Sequence, residues 1–229
     1  MERFLYLFLD LGALIIPLLF SFHPRIRLDL HWRALWPAII LVAALFIGWD
    51  VIFTRMGVWG FNPKYLIGID LFGLPIEEWL FFICIPYACV FTYFVFNELS
   101  ADPWSPGYAR TIAWTIVVCS SVIGIMNWEK WYTASTFFAL GATFAVVLIA
   151  NSINFLGRFL ICYAALLIPF FLINGTLTGY FTTDPVVWYD DTENLGIRLG
   201  SIPIEDTFYG MLLILLNVVL FERWKKPDQ

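Results

Sequence analysis

Charge is scarce in this 229-residue sequence: 14% of residues are Asp, Glu, Lys or Arg, against about a quarter in an ordinary soluble domain. That shortage excludes a soluble globular fold. The 13 Lys and Arg form no basic tract able to neutralise a run of phosphates, so no nucleic acid is expected as a partner. No two glycines are separated by a single residue, so the dinucleotide fingerprint is missing, and with it a fold-embedded nicotinamide or flavin site. Cysteine is limited to Cys84, Cys89, Cys119 and Cys162, all inside apolar runs and without Cys-x-x-Cys spacing, a pattern of small packing residues and not of metal ligands. The two histidines, His23 and His31, share one connection and read as solvated. All four lysines, Lys64, Lys130, Lys225 and Lys226, fall outside the apolar runs, which argues against a retinal Schiff base in the membrane. Neither a metal nor an organic cofactor is called for.

What the chain has instead is apolar length. Hydrophobic residues make up 61%, and seven segments reach or approach the roughly 20 residues that span a bilayer, at about 4–22, 34–53, 76–96, 110–126, 132–150, 158–174 and 205–221. The expected fold is all-α and integral to the membrane, with lipid as its surroundings. The first segment ends Leu19-Phe20-Ser21-Phe22 without a small-x-small cleavage site and reads as a retained helix. Segments one to three and five to seven follow the same order, which predicts two parallel three-helix repeats, 1–97 and 131–229, joined by a linker helix within 98–130. Lys and Arg number eight on the side that includes Arg25, Arg27, Arg33, Arg223, Lys225 and Lys226, and five on the other. The positive-inside rule then places the C-terminus in the cytoplasm and the N-terminus outside.

The repeat carries chemistry. Pro75-Ile76-Glu77-Glu78 and Pro203-Ile204-Glu205-Asp206 lie 128 positions apart, each at the head of an apolar run. Proline followed by acids is also an ordinary helix start, with the ring presetting φ and a carboxylate complementing the dipole. Dipole complementation needs only one acid, however, and an ionisable group in hydrocarbon costs about 2.5–3.5 kcal/mol even on the mildest scale, so such groups usually mark a functional site. Glu77, Glu78, Glu205 and Asp206 are therefore the candidate catalytic residues. Adjacent helical residues point about 100° apart, so only one acid of each pair can face a pocket squarely. A carboxyl kept neutral in an apolar cavity is a general acid for a hydrocarbon. Aromatics reach 19% and crowd the motifs, and ring faces stabilise a carbocation by about 0.5–2 kcal/mol each without trapping it. Trp49, Trp79, Phe81, Phe82, Phe208 and Tyr209 are candidates to line a substrate, with Asp50 and Asn174 upstream of the two motifs. The acidic run Asp190-Asp191-Thr192-Glu193-Asn194, lacking a second such loop, reads as solvated.

Both motifs, with Trp79-Leu80-Phe81-Phe82 after the first, resemble those of the small integral-membrane lycopene cyclase domain of bacteria, archaea and fungi, over nearly the whole chain. The resemblance implies a self-sufficient cyclase in a cell membrane, of bacterial type, acting on a hydrophobic polyene: protonation of a terminal double bond, closure to a β-ring, and proton loss, without redox change. Thr207 stands where Trp79 stands in the first copy, so the two halves are chemically unequal. A different class also fits three helices, a linker and three helices: a SWEET-like transporter, with prolines as hinges and acids coupling protons.

Overall fold

A lipid core leaves backbone groups no water to bond, so apolar runs of this length must satisfy their own hydrogen bonds as helices. The computed structural model describes residues 2–99, 106–150 and 153–225. Among them are seven helices long and apolar enough to cross a membrane: α1 (Leu5–Phe20), α2 (Trp32–Met56), α3 (Ile76–Leu99), α4 (Pro106–Met126), α5 (Trp131–Ile149), α6 (Leu156–Leu177) and α7 (Ile204–Trp224). Each predicted run is met by one of them. Lys226, which entered the charge count, and residues 100–105 of the predicted linker lie outside the described residues.

α1 packs chiefly on α3 and α4 on α5, while α7 sits between α2 and α5 and α2 also touches α3. The core between them is aromatic and aliphatic, with Phe46, Phe82, Tyr87, Phe144, Phe159 and Phe221 fully buried. His31 is half-buried against this packing, less open to solvent than the sequence suggested: its ring lies 5.2 Å from that of Phe94 and 6.4 Å from that of Phe221. The short helix that precedes α2, Leu28–His31, folds it inward.

The long connections after α2 and α6 fold over one end of the bundle. Both helices stop in the same way, with a left-handed glycine: Gly57 (φ 78°) after α2 and Gly179 (φ 98°) after α6. In each, the next amide reaches back five residues, Val58 N–H to the Phe53 carbonyl and Tyr180 N–H to that of Gly175, the Schellman arrangement. The chain then forms β1 (Trp59–Phe61) and β4 (Val187–Tyr189), which pair antiparallel with Gly60 opposite Trp188. Only glycine allows that approach, because a Cβ at position 60 would stand 2.4 Å from the Trp188 ring.

Each motif helix is preceded by a two-residue hairpin. β2 (Asp70–Leu71) pairs with β3 (Leu74–Pro75), and β5 (Arg198–Leu199) with β6 (Ile202–Pro203). Phe72 and Gly73 both have positive φ, as a type I′ turn demands, and Gly200 supplies the positive φ of the second turn. Pro75 and Pro203 thus end strands and do not open helices as predicted. The amides of Ile76 and Ile204 still bond carbonyls of the preceding connection, Ile69 and Ile197 at 2.9 Å each, and the helices start there.

Candidate active site

Three carboxyls converge under the roof made by β1 and β4. Glu78 on α3, Asp206 on α7 and Asp50 on α2 line one cavity of about 270 Å³. Its remaining walls are mainly aromatic and aliphatic, with Phe81, Phe82, Trp59, Phe61 and Tyr209 nearest the acids along their helices and strands.

Each acid is held by a donor from a different element. The Tyr6 hydroxyl, near the start of α1, donates to Glu78 Oε2 at 2.5 Å. Tyr132, at the start of α5, donates its hydroxyl to Asp206 Oδ1. Asp206 Oδ2 receives two more donors, Asn174 Nδ2 at 2.7 Å and the Tyr189 hydroxyl at 2.9 Å. Asp50 Oδ1 accepts from the Trp59 indole, and its Oδ2 is buried with no partner among the described residues. The Tyr209 hydroxyl is in the same condition. Burial, with the Asp206 charge beside it, holds the Tyr189 phenol well above its ordinary range, so it stays a donor.

The first acid of each motif pair turns away from the cavity. Glu77 Oε1 accepts the Ile67 amide at 2.7 Å, and Glu205 Oε1 accepts the Leu195 amide at 2.7 Å and the Thr133 hydroxyl at 2.6 Å. Both acids bond an amide ten residues upstream, so each fastens its connection to the helix it opens. The four motif carboxyls therefore divide into two that line the cavity and two behind it, and Asp50 is a third cavity acid. The 100° step between helical neighbours is the cause.

Of the residues predicted to line a substrate, Asp50, Phe81, Phe82, Asn174 and Tyr209 do line the cavity. Trp49, Trp79 and Phe208 do not. Trp49 packs behind Tyr209 with ring centres 5.3 Å apart, and Phe208 packs on Phe137 at 4.8 Å. Trp79 leans outward on Phe72 and donates to the Leu71 carbonyl at 3.3 Å, so it braces the hairpin. The acidic run at 190–194 is tied into the fold: the Trp131 amide donates to Glu193 Oε2 at 2.9 Å, capping α5, and Asp191 pairs with Arg198.

Sequence reasoning missed Tyr6, Tyr132 and Tyr189, the three phenols that hold the acids. One signal existed: Tyr6 and Tyr132 stand at matching places, each the second residue of its helix, α1 and α5. It missed Asp10 as well, one turn after Tyr6, which is fully buried with neither carboxyl oxygen partnered among the described residues.

A family model described as Lycopene cyclase matches residues 3–96 and 129–224. The bifunctional lycopene cyclase/phytoene synthase of Neurospora crassa is 24% identical over 135 residues, which cover 54% of this chain and 22% of that protein. The bifunctional lycopene cyclase/phytoene synthase of Aspergillus niger is 19% identical over 198 residues, 75% of this chain and 32% of that protein. The chain thus spans under a third of the length of these curated relatives. No solved structure matches it.

Proposed function

The chain belongs to the lycopene cyclase family, and from that premise we propose that it closes the linear ends of lycopene to β-rings by acid-base chemistry. The reading rests on one observation above all: Glu78 and Asp206, one from each motif, face a common apolar cavity. Hydrogen-bond inventory divides their roles. Asp206 receives three donors, which suits an ionised carboxylate that only accepts. Glu78 receives one, from Tyr6, and keeps capacity to carry a hydrogen toward the cavity.

In this reading Glu78 protonates the terminal double bond of the polyene, and the resulting tertiary cation is attacked by the next double bond to close a six-membered ring. The aromatic walls hold the cation without adding to it. Asp206, as base, takes the neighbouring proton and leaves the ring alkene. One proton enters and one leaves, so the step is an isomerisation and the enzyme an intramolecular lyase. Asp50, with its unpartnered oxygen, returns the proton toward Glu78. The roof keeps out water, which would otherwise capture the cation as an alcohol. Glu77 and Glu205 serve by holding the roof's connections.

We further read residues 1–97 and 131–229 as two parallel repeats around the linker, with the N-terminus and both motifs toward the outer face and the C-terminus in the cytoplasm. The Lys and Arg count supports that orientation in a cell membrane. The transporter reading is not favoured: the family is that of a cyclase, and the cavity acids gather at one end. The test is expression in cells that accumulate lycopene, followed by chromatography of the pigment. β-Carotene or its one-ring precursor is expected with the unaltered chain, and unchanged lycopene with Glu78→Gln or Asp206→Asn. Unchanged lycopene from the intact chain at normal membrane levels would reject the reading.

A further inference from the structure

The cavity is not confined to the acids. On α3 its lining continues from Glu78 through Phe81, Ile85 and Ala88 to Thr92, positions three or four apart on one helical face. Fourteen residues at 1.5 Å each make a slot roughly 21 Å long. α6 presents a matching stripe of the same length, from Leu177 and Ile173 through Phe170 to Tyr163. α1 supplies the third side with Tyr6, Ala13 and Pro17, again one face of the helix. The slot therefore runs along the helices, from the carboxyls toward the opposite membrane face.

One side of it lacks a wall. α1 packs on α3, and α6 on α3 and α7, while α1 and α6 make no extensive contact with each other. They meet near the acids, where Leu9 and Ile173 join one apolar cluster with Tyr6 and Leu177. Farther down, the facing residues are Ala13 and Pro17 on α1 and Pro169 on α6, which are small or unable to continue the helical hydrogen-bond ladder, and none of them is buried.

We propose that the gap between α1 and α6 is a side entrance from the lipid, and that the unreacted arm of the polyene lies in the slot along α3 while its end ring closes. This deepens the cyclase reading and rests on it for the identity of the occupant. It follows that the carotene is taken from the bilayer lengthwise. Each end must enter separately, since the slot has one set of acids.

The test uses the intact protein purified in detergent from lycopene-accumulating cells, with pigment retention and ring formation scored separately. Ala88→Trp and Ala13→Trp fill the slot halfway down, and Ile15→Trp, on the lipid side of α1, is the control. Each slot variant should retain at least ten-fold less lycopene than the unaltered protein, with the control within two-fold. Ala13 is half-exposed at the entrance, so its variant tests the slot even if Ala88→Trp fails to accumulate. Equal retention in all variants, equal loss in the control, or no retention by the unaltered protein overturns the slot. Retention that depends on the slot but yields no rings would leave the slot standing and reject the cyclase reading.

Discussion

Glu78→Gln should abolish ring closure, whereas Glu77→Gln, one residue earlier, should cost stability and leave most of the activity. The amide at 78 is nearly isosteric and its carbonyl can still accept from Tyr6, so folding is little disturbed, but it has no proton to give. Loss of a general acid is worth about 10²–10⁴ in rate, or about 3–5.5 kcal/mol at 1.36 kcal/mol per decade. Glu77 makes a different contribution, through the 2.7 Å bond from the Ile67 amide. An amide carbonyl can keep that bond at neutral strength. The difference between charged and neutral acceptors is about 1 kcal/mol, and the lost charge at the first turn of α3 adds about 0.3–1 kcal/mol. A stability loss of about 1–2 kcal/mol is expected, with the rate within a few-fold. Carotenoid chromatography at matched membrane levels gives the rates, and thermal unfolding of the purified variants gives the stabilities. Equal inactivity of the two well-folded variants, or activity in Glu78→Gln, would refute the division of labour.

The same geometry sets the other expectations. Asn174→Leu and Tyr189→Phe each remove a donor to Asp206, a loss of about 1.5–3 kcal/mol that should slow closure by roughly 10- to 150-fold. Trp79→Leu should change the rate less than two-fold, because that ring braces the hairpin outside the cavity; a large loss in well-folded protein would return it to the substrate. The raised phenol of Tyr189 favours its protonated form in the fold, so its stabilising effect is complete below the ordinary phenol value of about 10 and is lost as pH rises beyond it toward the folded value. Alkaline melting curves should accordingly fall less steeply above pH 10 in Tyr189→Phe than in the unaltered protein.

The spans were legible because bilayer length and apolar composition leave little choice, and the acids were legible because the motif recurs. What escaped was the choice of acid within each pair. Glu77 and Glu78 are indistinguishable as residues, and only the path of the connection, which brings the Ile67 amide to one of them, separates their tasks. The tyrosines escaped for a similar reason: Tyr6 sits 72 residues from Glu78 and Tyr132 74 from Asp206, beyond the reach of any local pattern. Trp79 was over-read because an aromatic beside an acid in sequence is turned away from it on a helix. Asp50 was singled out by position, and its place in the cavity depends on α2 continuing to Gly57 and on β1 returning Trp59 above it.

The register of β1 against β4 carries an implication for assembly. Gly60 faces Trp188, its counterpart 128 positions on, and the flanking pairs, Trp59 with Tyr189 and Phe61 with Val187, are reciprocal. A segment matched to its own equivalent in this manner is how two identical subunits meet across a two-fold axis. By the same geometry, a half-length chain carrying one such strand could close this clasp simply by associating with a twin.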